Sequence, residues 1–385
     1  MSWRIRNRQT VPGFRGSGVP GFVIPGVLAL CLAVLPAAWV PPVSAARALP
    51  ERLSDQEFWR LVTDFSEPNG YFQSDNLVSN ERQYQHVVPA LERRRGRGAY
   101  VGVAPDQNFT FIAALEPEIA FVVDIRRGNL HTHLMYKALF ELSADRAEFV
   151  SRLFSRPRPD GLGAMSGVRG MLLAFEQAPA DEALFEANLA AIERQLVKTH
   201  GFDLTEEDLR GIEYVYRMFA SFGPNITYQS SHASGRARFR FGNMPTYAEL
   251  QAATDGLGRR RSYLANEENF RFVKALESRN LIVPIVGDFA GPKALRAVGR
   301  YLAEHEATVS AFYVSNVEQY LFQNDVWRNF YANVATLPLD ERSVFIRSIS
   351  GVEVLDPIQA LLRAVGKGQV QYYPDLRDRA RPGRP

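Results

Sequence analysis

The sequence predicts an α/β domain with a Rossmann-like, mostly parallel sheet, helices on both of its faces and a large helical insertion. Three features predict it. Apolar runs of strand length at 99–104, 119–124, 281–286 and 308–315 show no polar alternation, as strands buried on both faces require. Segments of helical period separate them, at the spacing of βαβ units. Each run leads into small, acidic or turn-forming residues, and ligands of open α/β sheets bind at such strand ends.

Bulk properties agree with a globular chain. Of the 385 residues, 46% are hydrophobic and 23% charged, which excludes a fibrous or disordered protein. The formal charge is +3, but Arg4, Arg6, Arg8 and Arg15 sit in a stretch without acids. Without residues 1–45 the charge is −1, so the body carries no basic excess for nucleic acid. The single cysteine, Cys31, lies in that same stretch, which leaves the body with no thiol chemistry and suits an oxidising compartment.

Residues 1–45 read as an export signal. Arginines come first, then the apolar run FVIPGVLALCLAVLPAAWV at 22–40, then small residues around Val43, Ala45 and Ala46. The alternative is an uncleaved membrane anchor, the only membrane contact expected. Either way the body lies outside the cytoplasm, periplasmic or secreted. A G-x-G-x-x-G match at 16–21 has no strand before it and no helix after it, so it cradles no phosphate.

The body at 50–375 is expected to form one domain. A helix covers 50–65, with Ser54 and Glu57 as a capping box. A second covers 80–94, and the arginines of 93–98 suit its C-terminal end. Strand 99–104, a turn at 105–108 and a helix at 109–115 follow. Strand 119–124 and a helix at 130–142 complete the unit. The insertion at 143–280 holds helices opening at Ser143 and spanning 180–198 and 205–219, with starts at Thr246 and Asn266. A Pro/Gly break falls at 156–167. The polar loop 221–243, with Tyr228 and His232, reads equally as a lid over the strand ends or as a disordered connector. The sheet resumes with strand 281–286, a helix from Pro292 to Glu304, strand 308–315, a short helix at 317–327 and strand 343–348. A last edge strand is expected at 369–373 and a disordered tail at 376–385.

The candidate site lies at the strand ends. Gly102 and Ala104 are small enough to admit a ligand to the backbone. Asp124 follows Gly102 by 22 residues, near the interval of about 20 at which an acid meets a ribose hydroxyl. Asp288 and Asn316 supply polar groups at two further ends. The segments VGVAPDQNF, VVDIR, VGDF and YVSNVEQYL, over 99–142 and 281–350, resemble the class I S-adenosylmethionine-dependent methyltransferase superfamily, as a divergent bacterial branch. The resemblance implies that Gly102, Ala104, Asp106 and Asn108 wrap the methionine part of S-adenosylmethionine, that Asp124 holds the ribose and Asp288 the adenine, and that Asn316 faces the substrate. Tyr100 stands where that superfamily usually has an acid, and Ala104 replaces a glycine.

His133, near the Asp124 strand end, is a general-base candidate. His131 and His133 lie two apart on a helix and point in different directions, so no metal site is expected. Arg126 and Arg127 suit a phosphate or carboxylate ligand, or else surface acids. Neither a P-loop nor G-x-S-x-G occurs, and Ser166 in AMSGV lacks both glycines. Each named acid also has a structural role open to it, capping the next helix. The alternative function is therefore a non-catalytic exported binding domain on the same sheet.

Overall fold

The computed structural model describes residues 48–96, 98–230 and 244–379. Residues 1–47, with Cys31 and the expected export signal, the tail beyond 379 and His232 lie outside the described residues.

Six strands form one sheet: β1 (Ala99–Gly102), β2 (Ile119–Asp124), β3 (Ile282–Val286), β4 (Val309–Ser315), β5 (Val344–Ile349) and β6 (Val352–Pro357). Their order is β3-β2-β1-β4-β5-β6, parallel except for β6, which runs antiparallel to β5. Every residue of β1, β2, β3 and β5 is buried, as the unbroken apolar runs foretold for the first three. The helices in chain order are α1 (Asp55–Phe65), α2 (Val88–Glu92), α3 (Gln107–Leu115), α4 (Arg127–Leu142), α5 (Arg146–Phe154), α6 (Val168–Gln177), α7 (Glu182–Glu193), α8 (Glu206–Phe222), α9 (Tyr247–Ala252) and α10 (Glu267–Glu277). Then come α11 (Ala294–Glu304), α12 (Val317–Gln323), α13 (Trp327–Val334), α14 (Ile358–Gly366) and α15 (Tyr373–Arg379). The architecture is α/β and Rossmann-like. Helices α5 to α10 form the insertion between β2 and β3, and one hydrophobic core joins them to the sheet.

Three expectations need correction. The edge strand is β6, not 369–373. Ser350 (φ +55°) and Gly351 (φ +79°) turn β5 straight back on itself, the two-residue hairpin that needs positive φ at both positions. Residues 373–379 are instead α15, with Pro374 in its first turn. The helix expected at 80–94 is only a 3₁₀ turn (Tyr84–Val87) followed by α2, because Pro89 offers no N–H and is accepted only in a first turn. The helix expected to open at Ser143 opens at Asp145, whose side chain caps the N–H of Glu148 at 2.8 Å. The capping box at Ser54 forms as expected, and Thr205 and Thr246 open α8 and α9 with capping boxes of the same kind.

The end of β4 is fixed by a buried charge cluster. Arg347 of β5 is fully buried, and its Nε donates to Glu318 of α12 at 2.6 Å. Its Nη1 donates to Asp356 of β6 at 2.7 Å, and Tyr331 of α13 donates to the other oxygen of Glu318. The cluster therefore ties α12 and α13 to the antiparallel edge. Arg347→Met leaves Glu318 buried without its cation. We expect a loss of about 3–5 kcal/mol in urea unfolding. A loss below about 1 kcal/mol would show that the cluster does not hold this edge together.

Candidate functional site

The turn after β1 is closed by its own side chains. Asn108, in the first turn of α3, donates from Nδ2 to the carbonyls of Val103 (2.8 Å), Ala104 (3.1 Å) and Pro105 (2.6 Å). Its Oδ1 accepts from the Tyr100 hydroxyl at 2.8 Å. Gly102 is required there, since a Cβ would lie 2.0 Å from that Oδ1. Ala104 adopts φ +68°, an unusual conformation for alanine, held by these bonds. His133 lies beneath the turn, fully buried, with Nε2 3.0 Å from the Ala104 carbonyl and Nδ1 without a partner. That carbonyl can only accept, so Nε2 carries the proton. Burial pushes the imidazole pKa down to about 4, so the ring is neutral at physiological pH. Asp106 points away from the strand ends into the insertion, where Gln251 of α9 donates to it at 2.6 Å.

At the end of β2 the Asp124 carboxylate is engaged from one side. Its Oδ1 accepts from the Arg126 backbone (2.9 Å) and from Arg126 Nε (3.1 Å), and its Oδ2 from Arg126 Nη2 (3.0 Å). Arg126 also donates to the Asp75 carbonyl. Arg127 is a bidentate partner of Asp208 on α8, at 2.6 and 2.9 Å, and His131 meets the same carboxylate at 2.8 Å. Burial raises the Asp208 pKa, but the bonds from Arg127, His131 and Thr205 outweigh it and hold the group well below the usual carboxylate range. Arg126 and Arg127, offered by the sequence for an anionic ligand, are thus both paired within the protein.

At the end of β3, Asp288 Oδ1 accepts from the Ala290 N–H at 2.8 Å. Glu67 does the capping here from a distance. Its carboxylate accepts from the backbone N–H groups of Asp288 (3.1 Å), Lys293 (2.8 Å) and Ala294 (2.9 Å), at the start of α11. At the end of β4, Ser315 turns the chain into α12 with φ +51°. Its hydroxyl donates to Glu81, which also accepts from the Tyr313 hydroxyl at 2.7 Å.

These ends meet at one crevice. A cavity of about 190 Å³ is lined by Ala104, Asp124, Asp288 and Asn316, together with Arg126, Phe289 and Ser315. Tyr71, Phe72 and Asn76 close it from the irregular segment that precedes α2. It lies where the strand order reverses, between β1 and β4, the place at which doubly wound sheets bind ligands. The other four predicted residues are not at this cavity. Gly102 and Asn108 build the turn, Asp106 faces the insertion, and His133 lies under the turn, where it cannot reach a ligand as a base. Tyr228 borders a small adjoining cavity of about 40 Å³ with Ala104 and Asn316.

A family model described as a domain of unknown function, DUF7790, matches residues 76–373. The chain belongs to that family. The match takes in all six strands and every cavity residue named here except Tyr71 and Phe72. No curated protein matches the chain. Among the described residues, no three His, Cys, Asp or Glu side chains form a metal-binding group, and no helix is long and apolar enough to cross a membrane.

Sequence reasoning missed Glu67 and Glu81, and placed Ser315 at a strand end without giving it a role. Glu67 lies in a segment without period or motif, Glu81 at the start of a span read as an ordinary helix, and Ser315 has no flanking glycines. Only the strand-end position of Ser315 was a usable signal.

Asp106 offers a test of this geometry. Burial pushes its carboxyl pKa up to about 7, against about 4 in an unfolded chain. Between those values the folded state binds more protons than the unfolded state, so the group's contribution to stability falls as pH rises and levels off above about 7. Asp106→Asn keeps an acceptor for Gln251 and removes the charge. The variant should match wild type at pH 4 and exceed it at pH 8 by on the order of a few kcal/mol. Equal stabilities at pH 8 would mean that Asp106 is not a buried acid of this kind.

Proposed function

We propose that this chain is an exported binding protein for a compact, nucleoside-like ligand, held in the crevice between the ends of β1 and β4. The observation that carries the reading is the convergence of Ala104, Asp124, Asp288 and Asn316 on one cavity at the switch point of the sheet. Phe72, Phe289 and Tyr320 supply faces for a flat heterocycle. Asp288, Asn316 and Asn76 supply acceptors and donors for its edge. Such a mix of apolar walls and a few convergent polar groups is the usual character of small-molecule sites. The leader sequence supports a location outside the cytoplasm.

The resemblance implies S-adenosylmethionine, and the residues fit it poorly. The carbonyls of the turn that would wrap the methionine part are taken up by Asn108. Asp124, the group for the ribose diol, already accepts three bonds from Arg126. A volume of 190 Å³ is also below the roughly 300 Å³ at which pockets for drug-sized ligands begin. No methyl-transfer step is therefore derived, and the preferred ligand is the smaller nucleoside.

Thermal unfolding in the presence of adenosine, S-adenosylmethionine or S-adenosylhomocysteine tests the reading. A ligand at 100 times its Kd stabilises by about 2.7 kcal/mol, enough to raise the Tm by several degrees. We expect adenosine to raise the Tm at least as far as the two larger compounds do, and Asp288→Ala to abolish the rise. No shift with any of the three at millimolar concentration refutes the reading. A shift confined to S-adenosylmethionine restores the methyl donor instead.

A further inference from the structure

We propose that Ser315 is a catalytic nucleophile, with Glu81 as its general base, acting on short-chain carboxylic esters of a flat aromatic or heterocyclic alcohol. The proposal goes beyond ligand binding in the crevice. It stands without that reading, because it rests on the immediate surroundings of the serine.

The backbone presents the hydroxyl. Ser315 is the last residue of β4, has φ +51°, and is followed within two residues by α12. The β4–β5 ladder shifts register between Tyr313 and Ser315. A non-glycine residue held at positive φ in a strand-to-helix turn is how nucleophile elbows expose a serine above a sheet. The glycines of the G-x-S-x-G motif are absent, since Tyr313 and Val317 occupy those positions, but the turn is made nonetheless.

The partner is a carboxylate built for the purpose. Glu81 is buried, with relative exposure of 6%, and accepts from Ser315 on one oxygen and from Tyr313 on the other. Gln107 holds the Tyr313 hydroxyl at 2.6 Å and Ser79 at 2.8 Å, which fixes the far side of the network. Glu353 of β6 stands behind it, 5% exposed, with one oxygen near the Ser348 hydroxyl at 3.3 Å and the other without a partner. Burial raises both carboxyl pKa values, and mutual repulsion adds to the rise at Glu353, which is pushed up to about 8. The pair therefore retains a proton at neutral pH. Glu81, which accepts two hydroxyl bonds, is the ionised member, and Glu353 is the acid. The other titratable groups facing Glu81 are the phenols of Tyr100 and Tyr313, both neutral because burial raises them well above their usual value. Arg82, its chain neighbour, borders the same cavity. A carboxylate with raised proton affinity is a better general base than an exposed one.

Ser315 borders one cavity, and its partner Glu81 borders another. Ser315 and Asn316 line the 190 Å³ crevice, whose aromatic walls suit a ring. Glu81, Ser348 and Asn316 line a second cavity of about 330 Å³, which has room for a short acyl chain. An ester carbonyl lying between them is adjacent to Asn316, whose Oδ1 lies 3.4 Å from Ser315 Oγ, so its side-chain amide must turn over to present Nδ2 to the oxyanion.

The chemistry balances with water as co-reactant. Ser315 Oγ bonds to the carbonyl carbon while its proton passes to Glu81. The bond from carbon to the alcohol oxygen breaks, and Glu81 returns the proton to the leaving oxygen. Water then gives a proton to Glu81 and bonds to the acyl carbon. The acyl–Oγ bond breaks and Ser315 is reprotonated, releasing the carboxylic acid.

The test is covalent labelling of the full chain by a fluorophosphonate, followed by intact mass and peptide mapping, with p-nitrophenyl acetate hydrolysis alongside. We expect a single adduct on Ser315 that is lost in Ser315→Ala, and a labelling rate that rises between pH 4 and 8 along one carboxyl ionisation. A Glu81→Gln variant that keeps the wild-type far-UV circular dichroism should label about 10²–10⁴-fold more slowly. If that variant does not fold, the adduct site and the pH profile of wild type decide. No adduct on Ser315 in folded wild type between pH 5 and 9 overturns the proposal, as does a folded Glu81→Gln that labels as fast as wild type. Because this readout is covalent and nucleoside binding is read by Tm, either can fail without the other.

Discussion

Strands buried on both faces leave polar chemistry nowhere to go but their ends. β1, β2 and β3 carry no exposed residue, and α4 and the insertion seal the region around them. A polar side chain midway along such a strand would lose its hydration without a partner, at a cost of roughly 1–3 kcal/mol or more. The exception is Arg347 within β5, which is tolerated because Glu318 and Asp356 meet it there. Within the sheet itself, the remaining ionic groups collect at the carboxyl rim, where backbone groups also lose their ladder partners and need new ones.

The irregular segment between α1 and the 3₁₀ turn is the rim's answer to that need. Glu67 caps the start of α11, the Gly70 N–H donates to the Ile125 carbonyl at 2.8 Å, and Asn69 accepts from the Arg127 N–H at 2.7 Å. Asp75 then takes a bond from Arg126, Ser79 one from Gln107, and Glu81 two from β4. A stretch with no secondary structure of its own is thus ordered by one bond after another to strand ends. Gly70 is needed for the close approach, since a Cβ there would come within 2.4 Å of the Ile125 side chain. The same segment supplies Tyr71, Phe72 and Asn76 to the crevice, so the wall of the cavity and the satisfaction of the rim are one arrangement.

This explains what was legible in the sequence. Continuous apolar runs marked β1 to β4 nearly to the residue, because burial on both faces has no other simple pattern. β6 was missed, since half-exposed edge residues such as Val354 and Asp356 do not stand out from a loop. The strand-end rule found Asp124, Asp288 and Asn316. It could not say which way a side chain points: Asp106 also follows a strand, yet faces α9. Nor could it show Arg126 folding back onto Asp124 from two residues on, a local contact that changes what the carboxylate can hold. His133 illustrates the same limit, for a helix residue near a strand end can lie under the turn rather than beside the ligand.

Buried acids show most clearly how surroundings divide structure from chemistry. Glu277 is pushed up to about 8 by burial, and Lys137 beside it is committed to the Glu277 carbonyl (2.6 Å) and to Glu141 (2.8 Å). Asp106 is held by an amide within the insertion. Both sit in packed surroundings away from the crevice, so their raised proton affinity appears only as a dependence of stability on pH. Glu81 has the same burial and the same direction of shift, but one of its oxygens holds a serine that borders an open cavity. A proton moved there changes the nucleophilicity of an accessible oxygen rather than the stability of the fold. That difference in what the carboxylate faces, more than the size of any shift, is why the end of β4 is where reactive chemistry belongs in this protein.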